Sequence, residues 1–511
     1  MDRVLVLDFG GQYNQLIARR VRAEHVFAQI VRFDRITAEQ IRKQGYRAVI
    51  FTGGPNSVYD PAAPHFDPGI LSLGIPVLGI CYGAQLLAYM AGGRIGAVGA
   101  DSEFGKTGLH TEDCALFADV PKNSVCWMSH RDSVLTLPEG FRSIARTDRC
   151  PNAAIMDETR NLYGVQFHPE VSHTAYGQQI LRNFLFAVCR LKPDWKMEDF
   201  IEQSVARYRR ELDGQRVLLA LSGGVDSAVA AVLLHRAIHE RLVCIFVDHG
   251  LLRKHEADEV EAAFRSRFGL QLIRINAEDR FFERLKGVTE PEQKRKIIGE
   301  AFIRVFEEEA KKLGAIPVLA QGTIYPDVIE SGAGASAVIK SHHNVGGLPS
   351  TLSFERIVEP LRDLFKDEVR EVGTRLKIPA EFVYRQPFPG PGLAVRILGE
   401  ITREKRDLLQ EADCILREEV ATALPIGQRP SQYFAVLTDQ RSVGVMGDAR
   451  TYGYTVAIRA VSTDDFMTAA WCRLPYDLLE TVSSRITNEI TGVSRVVYDI
   501  TSKPPATVEW E

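Results

Sequence analysis

The sequence predicts an α/β protein: two doubly wound parallel-sheet domains followed by a small α+β domain. Three observations predict this. Short apolar runs at Val4–Asp8, Ala48–Phe51 and Ile75–Ile80, and again at Val217–Leu221, Leu242–Val247 and Val318–Ala320, each end in a glycine-bearing or polar turn and lead into helical stretches. Strands that are apolar on both faces belong in parallel sheets covered by helices above and below. Beyond residue 386 the pattern changes to strands at Tyr433–Leu437, Thr455–Arg459 and Val496–Ile500, interleaved with helices over 404–423 and 475–491. Prolines punctuate both joints, at Leu191–Lys196 and Pro387–Leu393. The expected domains are therefore 1–190, 191–385 and 386–511, in line with about one domain per 150 residues.

Composition narrows the class. At 45% hydrophobic and 25% charged the chain can bury full cores, and a net charge of −4 argues against a broad basic surface for nucleic acid or membrane. No apolar run reaches membrane-spanning length, and Met1–Asp8 lacks the basic and hydrophobic regions of a signal peptide, so the expected location is the cytoplasm. The eight cysteines form neither a CxxC pair nor a zinc spacing, and His25, His65, His110, His173, His235 and His239 show no ligand spacing.

In open parallel sheets ligands bind at the carboxyl ends of the strands, where Gly10-Gly11, Gly53-Gly54 and Cys81 all fall. Cys81 stands between Gly79 and Gly83 in a strand-to-helix turn of the nucleophile-elbow kind. A helix N-terminus and a histidine beside it are expected to bring the thiol below its free pKa of about 8.5. The base must come from elsewhere in the chain, and Val165-Gln166-Phe167-His168-Pro169-Glu170 supplies it. In an extended segment positions i and i+2 point the same way, so Glu170 is expected to hold one ring nitrogen of His168 while the other meets the thiolate. Singly, Cys81 would be a core thiol and His168 an ordinary buried histidine. Together with two glycine turns they make a nucleophile, a base and its orienting group.

A second junction lies at Ser222-Gly223-Gly224-Val225-Asp226-Ser227, between a strand and a buried helix. Unpaired N–H groups and the positive end of the helix dipole converge there, which suits a phosphate. Gly223 and Gly224 let the backbone approach, and Ser222 and Ser227 add hydroxyls. Asp226 would repel phosphates unless a divalent cation sits between, so Mg²⁺ with a nucleotide is expected. No lysine follows the glycines, which sets this loop apart from GxxxxGK[ST]. Further on, the Gly-, Ala- and Ser-rich segment 332–349, with Lys340, His342 and His343, is expected to form a mobile lid.

The first trio resembles the class I glutamine amidotransferases over most of residues 1–190, and the loop at 222–227 resembles that of the N-type ATP pyrophosphatases. The first resemblance implies that Cys81 attacks the side-chain amide of glutamine, His168 protonates the leaving ammonia and Glu170 orients His168. It also implies an oxyanion hole from the N–H groups of Gly54 and Tyr82. Gln85 and the segment Ser129–Val134, including His130 and Asp132, would hold the glutamine. This segment departs from the family in carrying Arg131 where the pattern reads Ser-His-Gly-Asp. The second resemblance implies that the loop holds the β and γ phosphates of ATP while a substrate oxygen attacks the α phosphorus, that Val247 meets the adenine and that Lys366 reaches the phosphates.

The tail Thr501–Glu511, with Arg385–Arg396 and Ser462–Trp471, extends the resemblance to the glutamine-hydrolysing GMP synthetase family over the whole chain. It implies a homodimer through a C-terminal dimerisation domain, and xanthosine monophosphate (XMP) contacted by Tyr325, Gln432, Lys503 and Glu509. Two prolines and a tryptophan in the tail favour docking over fraying. The implied reaction adenylates XMP with ATP and displaces AMP with glutamine-derived ammonia. Rival readings are another glutamine-dependent adenylating amidoligase, an RNA-modifying adenylating enzyme and a non-catalytic glutamine sensor. The tail opposes the first, the mild acidity and missing CxxC the second, and the intact trio the third.

Overall fold

A computed structural model describes residues 1–97, 102–330, 354–446, 449–463 and 468–511. The expected lid at 332–349 lies outside the described residues. The chain forms two compact units, Met1–Phe200 and Ile201–Glu511.

Unit 1 contains, in chain order, β1 (Arg3–Asp8), α1 (Asn14–Ala23), β2 (Phe27–Arg32), α2 (Ala38–Lys43), β3 (Ala48–Phe51), β4 (Val77–Ile80), α3 (Tyr82–Met90), β5 (Arg94–Ala97) and β6 (Glu103–Thr111). There follow β7 (Asn123–His130), β8 (Asp132–Thr136), β9 (Arg142–Arg146), β10 (Ala154–Asp157), β11 (Leu162–Val165) and α4 (Gly177–Asn183). The main sheet has the order β2-β1-β3-β4-β11-β10-β9-β6-β7, and β5 pairs with β8 apart from it. From β2 to β11 all neighbours are parallel, as the apolar runs predict. Val4–Leu7 of β1 and all of β3 are buried, as strands covered on both faces must be. Beyond β11 the sheet continues in antiparallel strands that the apolar runs do not announce. The turn at 158–161 between β10 and β11 is too short for a crossover, so those two strands must pair antiparallel.

α5 (Met197–Glu211) spans the division between the units. Unit 2 then holds β12 (Val217–Ala220), α6 (Val225–Ile238), β13 (Leu242–Asp248), β14 (Gln271–Asn276), β15 (Val318–Ala320) and β16 (Arg356–Val358) in an all-parallel sheet of order β14-β13-β12-β15-β16. The order reverses beside β12, so the loop at 222–227 opens at the switch point where such sheets bind ligands. A second sheet contains β17 (Gln432–Met446), β18 (Ala449–Ser462), β19 (Ala470–Trp471) and β20 (Val493–Asp499).

One hydrophobic core runs through unit 2 from Leu218 and Val243 of the parallel sheet to Leu437, Val456 and Ile486 of the C-terminal elements. The Pro387–Leu393 joint is part of this packing. Leu393, Ala394, Val395 and Arg396 are fully buried, and Leu393 N donates to Leu251 O at 2.8 Å. Gly392 has φ +64°, and a Cβ there would stand 2.2 Å from Leu251 O, so only glycine fits.

Candidate active sites

In unit 1 the thiol is positioned by glycine-enforced close packing. A Cβ on Gly79 would meet Ala84 N at 2.6 Å, and one on Gly83 would meet Phe51 O at 2.6 Å, so α3 starts directly against β3 and β4. Cys81 is the residue before α3 and has φ +51°, a region that residues with a Cβ rarely enter. This strain turns its side chain out of the β4 line. Ser129 O lies 3.7 Å from Sγ, as an acceptor for the thiol, and Gln166 Nε2 donates to Sγ across 3.7 Å.

His168 and Glu170 are brought together as expected, but not by a strand. β11 ends at Val165, and the chain turns at Pro169. His168 Nδ1 meets Glu170 Oε1 at 2.7 Å, Thr174 Oγ1 donates to His168 O at 2.6 Å, and Tyr13 packs edge-on to the ring at 5.2 Å. The carboxylate fixes the proton on Nδ1 and leaves Nε2 for the sulfur. Burial opposes charge on His168. The Glu170 charge, with hydrogen bonds to Cys81 and Glu170, outweighs it and holds the ring's pKa well above its ordinary value. Glu170 is fully buried, and Arg20 Nε donates to its main-chain carbonyl at 3.0 Å. The Gly53-Gly54 turn borders the pair: a Cβ on Gly53 would lie 3.4 Å from His168 Cε1 and 3.8 Å from Cys81 Cβ. Tyr82, as the first residue of α3, has a main-chain N–H with no intrahelical acceptor.

The segment expected to hold glutamine is two strands, β7 and β8, meeting at the exposed Arg131. Arg131 is not among the residues with positive φ, so its side chain meets no backbone strain there. Gln85 Nε2 donates to Asp132 O at 2.6 Å and to Gln166 Oε1 at 3.1 Å, and Ser57 Oγ donates to Asp132 Oδ2 at 2.6 Å. The His130 ring is engaged by Asp132 O and Glu103. The residues missed by the sequence reading are Gln166, Ser57, Tyr13, Arg20 and the Ser129 carbonyl. Only Gln166 carried a signal, by its place two residues before His168.

In unit 2, α6 begins at Val225 after Gly224 and has no side-chain cap, so Ser222, Asp226 and Ser227 are not used as an ordinary N-cap. Gly223 takes φ +77°. Ser227 Oγ accepts from Ser222 N at 3.2 Å and lies 3.0 Å from Ser222 Oγ, which closes the loop on itself. Lys366, the first residue of the helix Lys366–Arg375, places Nζ 2.6 and 2.8 Å from the two oxygens of Asp226. β13 runs past the last residue of β12 that pairs with it, so the backbone of Val247 borders the crevice. Arg385 links the loop outward, donating to Gly223 O at 3.4 Å and to Glu256 at 2.7 Å.

The tail is docked, as expected. Arg396 holds Glu509 through two hydrogen bonds of 2.8 and 3.0 Å and lies 3.9 Å over the Phe434 ring, and Gln432 Nε2 donates to Glu509 Oε1 at 3.1 Å. Lys294, fully buried, binds Ile397 O at 2.7 Å and the Glu511 carboxylate. Lys503 pairs through its backbone with Ala469, and Tyr325 packs on Phe365. Arg253 and Arg396 were not singled out from the sequence. Arg253 Nε and Nη2 and Arg396 Nη1 are buried with no hydrogen-bond partner among the described residues. Burial brings Arg253 down to about 10 against the pull of Glu256 and Asp413.

The comparisons with known proteins follow this division. Residues 5–188 match the class I glutamine amidotransferase family, residues 195–298 the NAD synthase family and residues 419–510 the GMP synthase C-terminal domain family. Fold, loops and matches together define a glutamine amidotransferase joined in one chain to an ATP-using ligase unit. The chain is 58% identical over 511 residues to the glutamine-hydrolysing GMP synthase of Ruminiclostridium cellulolyticum and 59% identical over 511 residues to that of Acetivibrio thermocellus, covering 100% of this chain and 99% of each relative. A solved structure of a GMP synthase subunit from Thermoplasma acidophilum is 30% identical, covering 37% of this chain and 94% of that one, with a TM-score of 0.33. The chain belongs to the glutamine-hydrolysing GMP synthase family. Among the described residues no helix is long and apolar enough to cross a membrane.

Proposed function

We propose that the chain makes GMP from XMP in two half-reactions, with the residues above in the following roles. Cys81 Sγ attacks the side-chain amide carbon of glutamine while N–H groups of Gly54 and Tyr82 receive the oxyanion. His168 Nε2 takes the thiol proton and returns it to the leaving ammonia, and Glu170 holds the Nδ1 proton throughout. Water then hydrolyses the thioester to glutamate. The observation that carries this reading is the Cys81, His168 and Glu170 set, with Nδ1 fixed on a buried carboxylate 2.7 Å away.

At the second site the loop 222–227 holds the β and γ phosphates of ATP with backbone N–H groups and the Ser222 and Ser227 hydroxyls. The C2 oxygen of XMP attacks the α phosphorus and pyrophosphate leaves as the α–β bond breaks, and ammonia then displaces AMP from the adenylated ring. Asp226 is a partly exposed carboxylate in the phosphate loop, a hard oxygen donor of the kind Mg²⁺ takes. Bound there, Mg²⁺ would neutralise phosphate charge. Lys366, whose Nζ stands at the mouth of the loop beside Asp226, would offer its charge to the phosphates. Val247 borders the adenine. Tyr325, Gln432, Lys503 and Glu509 contact XMP, and the unpartnered nitrogens of Arg253 and Arg396 favour an anionic ligand beside the tail.

Residues 1–190, 191–385 and 386–511 serve as amidotransferase, pyrophosphatase and dimerisation modules of a cytoplasmic enzyme. A homodimer is supported by exposed apolar residues on the far half of the β17–β18 hairpin, with Val445 73%, Tyr452 64% and Val443 57% accessible. The test is conversion of XMP to GMP with ATP and Mg²⁺, using glutamine or ammonium as nitrogen source. Product in both arms is expected, and no product in either overturns the assignment of the acceptor.

A further inference from the structure

Behind the thiol lies a buried polar cluster that the two half-reactions leave unused. It consists of Glu103 at the start of β6, His130 at the end of β7, and Thr147 and Cys150 just after β9, all buried. The hydrogen-bond directions follow from the chemistry of each group. Thr147 Oγ1 accepts from Cys150 N at 2.9 Å and gives its own proton to Glu103, whose oxygens lie 2.8 and 3.0 Å away. His130 Nδ1 faces the Asp132 carbonyl at 3.0 Å and must carry a proton, since a carbonyl only accepts. His130 Nε2 faces Glu103 Oε2 at 3.4 Å. Among the described residues the imidazole is the one basic side chain within 4 Å of this carboxylate. A buried carboxylate left without it would carry an uncompensated desolvation penalty, so the ring is held firmly.

His130 lies in the chain between two carbonyls, one beside the thiol and one holding Gln85. Ser129 O is the acceptor 3.7 Å from Cys81 Sγ, and Asp132 O binds both His130 Nδ1 and Gln85 Nε2. We propose that Glu103 is a positioning residue for the glutaminase half-reaction: through His130 it fixes the backbone at 129–132, whose carbonyls orient the Cys81 thiol and Gln85. The inference rests on the glutaminase reading of Cys81. The same cluster brings ligand atoms of Glu103, His130 and Cys150 within 4.8 Å of one another, the spacing of a transition-metal site. The carboxylate is already satisfied by Thr147 and His130, however, and burial followed by the Glu103 charge pushes the Cys150 thiol up to about 12, away from the thiolate a metal would need.

The test compares glutamine-driven with ammonium-driven GMP synthesis in the full-length chain, together with unfolding temperature and zinc content. Glu103→Ala is expected to lower kcat/KM for glutamine by about 30-fold, mostly through KM, with ammonium-driven synthesis within about twofold of the parent. Glu103→Gln, which can still accept from Thr147 and donate to Nε2, is expected to recover to within about threefold of the parent. Should Glu103→Ala not fold, Thr147→Val carries the same test, with KM for glutamine raised and the ammonium arm unchanged. Equal losses in both arms, or a lower unfolding temperature with an unchanged KM for glutamine, would overturn the proposal. So would one equivalent of zinc in the parent that Glu103→Gln loses. A parent chain active with ammonium but inert to glutamine would instead overturn the glutaminase reading on which the proposal rests.

Discussion

The two candidate loops share one local design, a strand ending in a glycine turn that starts a helix, and they use it in opposite ways. At Cys81 the turn delivers a side chain, and its partners come from distant parts of the chain: His168 and Glu170 in the turn after β11, Ser129 in β7. At 222–227 the turn delivers the backbone itself, and its serines hydrogen-bond to one another within six contiguous residues. Covalent chemistry needs a nucleophile and a base held against each other. Phosphate binding needs only converging N–H groups and a cation.

The largest expected effect tests whether the loops act independently. Cys81→Ala should abolish glutamine-driven synthesis, by about 10⁴-fold or more, and leave the ammonium arm within about twofold. Equal loss in both arms would break the comparison. Asp226→Ala should lower both arms by about 10³-fold, because the ATP site serves either nitrogen source, and steady-state assays with each source read this directly. Glu170→Gln keeps the shape at His168 but removes the charge that raises its pKa. An expected fall of about 10²-fold in glutaminase kcat, with ammonium-driven synthesis unchanged, would sharpen the contrast.

Smaller effects concern stability. Gly392→Ala should destabilise unit 2 by about 3 kcal/mol, since φ +64° and a carbonyl 2.2 Å from the new Cβ both oppose it, and chemical denaturation measures this.

Two buried histidines carry the comparison into pH dependence with opposite signs. His249 is pushed down to about 4 by burial, which outweighs Asp248 and Glu256, and its Nδ1 accepts from Leu251 N at 3.1 Å. With a folded value below the unfolded 6.5, its contribution is complete above pH 6.5 and is lost as pH falls towards 4, a loss of about 3 kcal/mol. His168 is raised, so its contribution is complete below the unfolded value of 6.5 and is lost as pH rises through the folded value. Denaturation at stepped pH should show the acid slope flattened in His249→Asn. An identical slope in parent and variant would remove His249 from the account.

Much of this was legible in the sequence because the signals were local. The strand β3 falls where its apolar run lies, and β12 and α6 surround the glycine pair as read. The trio was legible because Gly79 and Gly83 mark a tight turn around a cysteine, and because His168 and Glu170 sit two residues apart. A turn at Pro169, rather than the expected extended strand, brings the carboxylate to the ring. The antiparallel half of the unit 1 sheet was not legible, because β6, β7 and β9 are half-exposed with weak alternation, as in β6 with only its ends and Leu109 buried, and the buried β10 is only four residues long.

What the sequence determined by itself was whatever depends on neighbours in the chain: the parallel strands, the two loops, the docked character of the tail and the residue types able to do the chemistry. What only the tertiary structure decided was which polar groups meet across long separations. Gln166 reaches the sulfur, Glu103 reaches His130, Lys366 reaches Asp226, and Arg396 reaches Glu509. The physical reason is that periodicity and turn chemistry are short-range. The partner of a buried charge is chosen instead by which side chains packing brings within about 3 Å in a medium that penalises leaving any of them alone.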